Sequence, residues 1–460
     1  MTSDHHEPQP GARVPYPPRA YAFFVIALLM VATTHAQLDK QFPGLLVGPI
    51  RAAFDISDTQ VSLFQGAAFA IFYAVMGPLF GRMVDSRNRR NLIIFGILFW
   101  STMTILAGLS RNYWELLATR VGVGIGEAVL APAAYSIIAD YVAPKIRGRA
   151  LAVYMTSHAL GTGISLLIGG AIVGALSHST VFQALPLIGH LEPWRVAFVI
   201  VGLPGVFTAL LMLMVREPAR HGVTVQTTGA EAKKITRDFF AHVRRHRVAY
   251  YSVLVAQVAV HFIGNAVVPW LPTVFIRRHG VPVEQLGATL GAILFTASAI
   301  GFFFSGWLSD RWLAKGRADA RLLPLFVGEL LFIPGILVWP LVDNLYLAYA
   351  FFFLQCVGHV TAIATLPTTT QDVVPARMRG QAVTMVLLLT TLLGWAVGPT
   401  AVALVTDFVF RDDAAIGKSL VLVCVPAAVF AMAVAWYGRN AFIATRRELH
   451  GEALAQAAES

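Results

Sequence analysis

Long apolar runs alternate with short polar segments along almost the whole chain. A membrane-spanning helix needs about 20 mostly apolar residues, and helices that line a pathway run longer and more polar. The pattern predicts spans over 20–42, 60–84, 91–110, 113–140, 149–175 and 193–215, then 247–275, 284–310, 320–341, 345–370, 379–407 and 415–439. The expected fold is an all-α integral membrane protein of twelve transmembrane helices.

The polar segments carry a second pattern. Lys and Arg gather in alternate loops, at 82–90, 145–149, 216–247, 311–321 and 377–379, and in both tails. Lys40 and Arg120 fall within spans, which leaves only seven basic residues for the other side. Basic loops stay cytoplasmic, so both termini are expected inside, which demands an even number of spans. The same reading puts the chain in the plasma (inner) membrane.

The longest basic loop divides the chain into a tail (1–19), a six-helix bundle (20–215), a linker (216–246), a second bundle (247–439) and a C-terminal tail (440–460). In the linker, basic residues alternate with Ile235, Phe239, Phe240 and Val243. That spacing suits a helix lying on an anionic leaflet, and equally a solvated charged linker. The two halves share a motif. GRMVDSRNRR (81–90) and GWLSDRWLAKGR (306–317) both set Asp four residues after Gly, with Arg close behind. Two related halves around a central pathway is how secondary transporters are built.

Composition narrows the class. Hydrophobic residues make up 57% of the chain and charged residues 13%, against roughly 25% charged in soluble domains. Cys356 and Cys424 lie in separate apolar runs, and the 13 histidines include no HExxH. A disulfide framework, a zinc site and a cofactor are not expected. The net charge of +10 follows loop topology, so no nucleic-acid partner is implied. The first 19 residues are polar and proline-rich, and no cleavable signal peptide is expected. No nucleophile elbow, metalloprotease motif or Walker loop is present, which argues against an enzyme or an ATP-driven pump.

Over essentially its whole length the sequence resembles the major facilitator superfamily. Gly81, Asp85, Arg89 and Arg90 match that family's loop signature, whereas Ser86 and Asn88 depart from it. Asn is tolerated where positive φ is needed, and Arg87 offers the displaced charge. The resemblance implies two pseudo-symmetric six-helix bundles and a monomer. It also implies a cytoplasmic latch at Gly81, Asp85, Arg87, Arg89 and Arg90, with Asp310 and Arg311 as the repeat's equivalents. TRVGVGIGEAVLAPAAYSIIADY (119–141), LDK (38–40), WRVAFVIVGLPG (194–205) and REPAR (216–220) are similar to the Spinster subfamily of lysolipid and sphingolipid-phosphate transporters. Lys40 stands where that family has Arg.

Charge inside a bilayer costs about 2.5–3.5 kcal/mol or more, so it faces a cavity and a partner. Asp39, Lys40, Arg120 and Glu127 are such charges. Arg120 and Glu127 share one helix face about 10 Å apart, too far to pair directly, and the first helix is the expected neighbour of both. Asp39 and Glu127 are the expected protonation sites, since a carboxyl moving between wet and closed cavities takes up and releases protons. Arg120 and Lys40 would balance them and grip an anionic head group. The alternatives are permanent ion pairs that set helix register and, for Lys40, snorkelling to the interface.

In the second half, Gln257, His261 and Asn265 form a polar stripe that lines the cavity or bonds to neighbouring helices. Gln355 and His359 invite the same two readings. His158 is a further candidate, more commonly an interhelical donor, and Glu329 is expected to be structural. Phe262, Trp270 and Phe302 to Phe304 make the second half apolar and aromatic. An anionic head with a greasy tail suits that asymmetry, although lipid-facing Phe would look alike. The reading is a proton-coupled carrier of an anionic amphiphile, with membrane lipids, protons and the cargo as its partners. The alternatives are a symporter of small organic anions such as sugar acids and, from another class, a lipid-binding sensor.

Overall fold

The structure, a computed structural model, describes residues 16–178, 189–218, 220 and 229–459. Eleven helices among them are long and apolar enough to span. They are α1 (Arg19–Leu45), α2 (Asp58–Ser86), α3 (Arg89–Leu109), α4 (Tyr113–Tyr141), α5 (Pro144–His178), α6 (Pro193–Met212), α7 (Arg247–His279), α8 (Val283–Ala314), α10 (Leu345–Asp372), α11 (Ala376–Phe410) and α12 (Asp413–Leu449). The shorter apolar helix α9 (Leu323–Val338) completes twelve. Helices α5 and α8 run longer at both ends than the apolar runs suggest.

Several helices are interrupted where the sequence forbids regular bonding. Pro43 has no N–H to donate, and α1 tightens into a 3-10 turn over Phe42–Leu45. In α4 the α-helix loosens at Ala128 and Val129, directly after Glu127, and resumes at Leu130 ahead of Pro132. Wide π turns occur in α2 at Leu63–Ala67 and in α11 at Thr390–Val397, and these face each other: a Cβ on Gly66 would lie 2.3 Å from Trp395 O.

The apolar core is divided unequally along the membrane normal. One cluster belongs to α1–α6 and includes Val25, Ile26, Leu29, Tyr141, Tyr154 and Met212. Another belongs to α7–α12 and the linker helix, with Phe239, Tyr250, Leu325, Met378 and Phe442. The third is shared, joining Phe42, Leu45 and Phe198 to Trp270, Leu271 and Phe275. The bundles therefore have common packing at the Leu45/Trp270 end and separate packing at the basic end. Along α5 and α8 the shared seam is built from glycine. A Cβ on Gly287 would lie 2.2 Å from Leu166 O, and one on Gly291 would lie 2.8 Å from Gly163 O. Small residues let helix backbones approach this closely.

The linker contains a helix over Gly229–Arg245. Phe239 and Val243 are buried against the second bundle, and the Phe239 and Tyr250 rings are 5.7 Å apart. Gln381 donates to the Thr236 hydroxyl at 3.0 Å, and His242 Nε2 lies 2.8 Å from Val373 O. Phe240, one residue from Phe239, is 53% exposed. In the loop before α9, Asp319 accepts from Arg317 and Arg439. Burial would raise its carboxyl pKa, but those two guanidinium bonds outweigh burial and hold it below the usual range.

Helices α9 and α10 meet at Gly328 and Gly358, where a Cβ on Gly358 would lie 2.6 Å from Gly328 O and from Phe332 N. Gly358→Leu is expected to cost about 1–3 kcal/mol through overpacking, read as a lower thermal unfolding midpoint in detergent. Gly81→Ala, with open space around its Cβ, should leave that midpoint unchanged.

Candidate functional site

The charges on α1 and α4 meet where α1 ends. Pro43 cannot donate to Asp39 O, and the 3-10 turn draws the next donor away from Lys40 O, so both carbonyls face outward unpaired. Arg120 fills them: its guanidinium donates to Asp39 O at 2.9 Å and to Lys40 O at 3.1 Å. It therefore staples the end of α1 to α4, and it is 3% exposed. This arrangement presents Lys40 to Glu127, with Nζ 2.8 Å from Oε2. The Lys40 side chain is 13% exposed and that of Glu127 1%. Arg120 forms no ion pair with either carboxylate; its bonds go to the α1 carbonyls.

Asp39 lies differently from its expected position. Its backbone meets Arg120, but its carboxylate turns into the first bundle, faced by the Trp100 indole and the Thr104 hydroxyl. His35 Nε2 is 3.8 Å away, and that same nitrogen lies 3.3 Å from Val201 O.

Aromatic rings complete the cluster. Lys40 Nζ is 5.1 Å from the Phe69 ring and 5.4 Å from Tyr73, while Arg120 is 5.6 Å from both Phe64 and Phe69. Phe69 thus sits between two cations, each attracted by the ring's electron-rich face. These α2 residues were not singled out from sequence. Their spacing, Phe64, Phe69 and Tyr73, was a signal, but one that any lipid-facing helix also gives. A crevice beside the ion pair is lined by Gln37, Lys40, Tyr73, Glu127, Tyr154 and His158, among others. His158 thus joins the cluster, and Gln37 donates to Thr162 Oγ1 at 3.3 Å.

The polar stripe of α7 is engaged within its own bundle. Thr370 of α10 donates to Gln257 Oε1 at 3.0 Å, His261 Nδ1 lies 2.8 Å from Gln257 O, and Asn265 donates to His261 O at 2.9 Å. Trp270 is buried, its indole donating to Pro399 O, so it belongs to the core rather than to a cargo surface. Trp339 similarly holds Gln355. Glu329 is fully buried in the second bundle.

At the basic end, the signature loop is tied inside the first bundle. Arg89 is 1% exposed and bonds Asp140, Ser136 and Glu217, the last at 2.7 Å. Arg90 N donates to Glu217 Oε2 at 3.0 Å, so Glu217 of the REPAR stretch accepts at the start of α3. Asn88 does not take positive φ as its departure from the signature suggested. At φ −69° its side chain caps α3 by accepting from Asn91 N. Asp85, Arg87, Asp310 and Arg311 are exposed, and neither Asp85 nor Asp310 has an ion-pair partner among the described residues. Arg311 lies over the Trp307 ring of its own helix at 5.2 Å.

The opposite end holds the ion pairs between bundles. Asp55 at φ 50° ends a short helix (Val47–Phe54), and Ser57 with Gln60 forms a capping box that starts α2 at Asp58. Asp58 is fully buried and accepts from Arg277 of α7 at 2.6 and 2.8 Å, with Arg51 at 3.2 Å. Arg51 also pairs with Asp413 at 2.6 Å, and Thr59 donates to Asp407 at 2.6 Å. Sequence reading missed this cluster, because each member is an ordinary loop charge when seen alone. The bundles are thus joined beside Leu45 and Trp270, while at the other end Asp85 and Asp310 stand exposed.

Residues 22–399 match the family profile described as Major Facilitator Superfamily. The chain belongs to that superfamily. Within it, the chain is similar to Spinster proteins, among them the protein spinster of Drosophila melanogaster, 24% identical over 63% of this chain and 46% of that one. The fold of this chain superposes with a TM-score of 0.75 on a bacterial homologue of the human lysosomal transporter Spinster, in an inward-facing and unoccupied conformation. The two are 25% identical, over 95% of this chain and 99% of that one. An "MFS-type efflux pump" of Mycolicibacterium smegmatis is 29% identical over 88% of this chain and 89% of its own. A "Probable L-galactonate transporter" of Escherichia coli K12 is 23% identical over 67% of this chain and 68% of its own. This superfamily member is therefore a multi-pass membrane transporter rather than an enzyme, and it carries a small molecule.

Breaking one partner of a buried pair costs about 3–5 kcal/mol, so Asp58→Asn is expected to loosen the joined end. A cysteine placed at Thr400, whose hydroxyl is 3.3 Å from Ser62 Oγ, should then label faster with an impermeant maleimide. The buried native cysteines give little background. Unchanged labelling would show that the Asp58 cluster does not hold the bundles.

Proposed function

We propose that this transporter is proton-coupled and moves an anionic amphiphile by alternating access, with Glu127 and Asp39 as its protonation sites. The observation that carries the reading is the Lys40–Glu127 pair of 2.8 Å between α1 and α4. Glu127 holds Lys40 while it is ionised. An anionic head group that takes Lys40 removes the counter-charge from Glu127, and a proton then neutralises the carboxyl left behind. Cargo and proton binding favour each other, as linkage requires of two sites that share one partner. Arg120 supports the coupling by fixing the end of α1 to α4, so that a shift in the pair is felt by the helix end. Asp39, buried against Trp100 and Thr104, is the second site, inside the first bundle.

In this reading the basic end is cytoplasmic, both termini lie inside, and the membrane is the plasma (inner) membrane. The 20–215 and 247–439 bundles rock about the glycine seam, with 216–246 as their linker. The unpaired Asp85 and Asp310 then belong to a cytoplasmic gate standing open, while Asp58 and Arg277 close the outer one. The inward-facing state of the bacterial Spinster homologue supports this assignment. A second reading, cotransport of a small organic anion, is favoured by the E. coli relative named for L-galactonate and by the polar crevice of Gln37, Tyr73 and His158 around the pair.

Reconstitution into liposomes tests both. Labelled lysolipid and labelled sugar acid are offered with and without a proton gradient. Lysolipid flux that rises with the gradient supports the first reading, and sugar-acid flux alone supports the second. Glu127→Gln is expected to abolish gradient dependence while leaving exchange down a cargo gradient. Lys40→Gln should weaken uptake of charged cargo at every pH. Gradient dependence retained in Glu127→Gln would refute the role given to that residue.

A further inference from the structure

A cavity of about 300 Å³ lies outside the central pathway, between the N-terminal end of α1 and the junction of α4 with α5. Its volume is at the lower end of the roughly 300–1,000 Å³ typical of ligand sites. The walls are Ala22, Phe23 and Ile26 from α1, with Tyr141, Val142 and Ile146 opposite. Arg19 and Lys145 stand at the rim, and none of the lining residues is acidic. Among the described residues neither cation has an ion-pair partner, and both are exposed.

We propose that this groove binds an anionic phospholipid of the surrounding leaflet, its phosphate between Arg19 and Lys145 and one acyl chain along Phe23, Ile26 and Ile146. Three features select that occupant over others. The cavity is apolar within and cationic only at its mouth, which is the polarity of a lipid and not of a soluble anion. Phe23 is 52% exposed on α1 while Ala22 and Ile26 are buried, so the groove opens sideways, toward the bilayer. Its mouth also lies at the end where Lys and Arg concentrate, and basic residues at an anionic leaflet attract its head groups. The α1 end carries no side-chain cap and no acidic residue in its first turn, so among the described residues lining the groove no carboxylate competes with a phosphate.

The site bears on the transporter because of what it joins. It bridges the basic end of α1 to α5, and α1 is the helix whose other end bears Lys40. A bound lipid there fixes the spacing of two helices that a rocking bundle carries together. The groove shares no lining residue with the central crevice, so its occupant does not depend on the identity of the cargo.

Native mass spectrometry of the purified full-length protein tests it, with phosphatidylglycerol and phosphatidylcholine of matched chains as probes. Phosphatidylglycerol is expected to be retained more tightly, and affinity should fall roughly five-fold for each cation removed. Arg19→Gln with Lys145→Gln should bring it down to the phosphatidylcholine level, whereas Arg19→Lys with Lys145→Arg should preserve the preference. Ala22→Trp, which fills the groove, should reduce retention of both lipids, with a monodisperse elution profile as the check on folding. Glu127→Gln should retain lipid as the native protein does, which separates this site from the central pathway. Equal retention of the two lipids by the native protein would overturn the proposal. So would an unaltered preference in the double Gln variant, undiminished retention in Ala22→Trp, or displacement of the lipid by glycerol phosphate alone.

Discussion

The central charge cluster depends on a proline that cannot donate a hydrogen bond. Pro43 leaves the last carbonyls of α1 without helical partners at a depth where water is scarce, and an unsatisfied carbonyl there is costly. Arg120 is the donor that satisfies them. Its planar fork reaches two successive carbonyls at once, which a Lys ammonium would do with less geometric definition. Lys40 is thereby held on the α4 side of α1, and Glu127 receives it. The α-helix of α4 is interrupted immediately after Glu127, by irregular backbone of the kind tolerated in membranes only where it is enclosed by protein or lines a cavity.

The division of the apolar core bears on the alternating access proposed for this transporter. At the Leu45 and Trp270 end the two bundles share one packed interior, reinforced by buried arginine–aspartate pairs. At the basic end each bundle packs on its own. Close-packed interiors switch between discrete arrangements more readily than they deform, so in the alternating access proposed for this transporter each bundle would move with its private core intact. The ion pairs at the signature loop fit this division. Arg89 stays within the first bundle, where it joins α3, α4 and the chain beyond α6, and it keeps that bundle rigid.

Much of this architecture was legible in the sequence. Spans, the internal repeat and the four buried charges follow from strong one-dimensional signals: run length, loop charge, and the cost of ionised groups in lipid. That α1 is the neighbour of Arg120 and Glu127 was legible for the same reason, since isolated charges need partners. The details lost were those set by three-dimensional accidents of backbone. Spacing cannot tell that Arg120 would choose the carbonyls of Asp39 and Lys40 over a carboxylate, because that choice depends on what Pro43 withholds. The inward turn of the Asp39 side chain toward Trp100 depends on which face of α1 meets α3. Asn88 reads as a glycine substitute and is a helix cap. Asp58, Arg277 and Asp413 lie 219 and 136 residues apart in turn, and only folding brings them together. The aromatic residues of α2 were hidden among many similar ones.

The glycines between α5 and α8 have a mechanical meaning. Where two helices touch through side chains, separating them requires rotamers to be re-sorted and their entropy renegotiated on each cycle. At Gly163, Gly287 and Gly291 the touching surfaces are backbone, which has almost no conformational alternatives inside a helix. In the rocking motion proposed for this transporter, the seam would act as a smooth bearing, with one path to follow and one register to return to. A single methyl group placed there would act as a wedge, felt by the packing of the two bundles and by the proposed cycle alike.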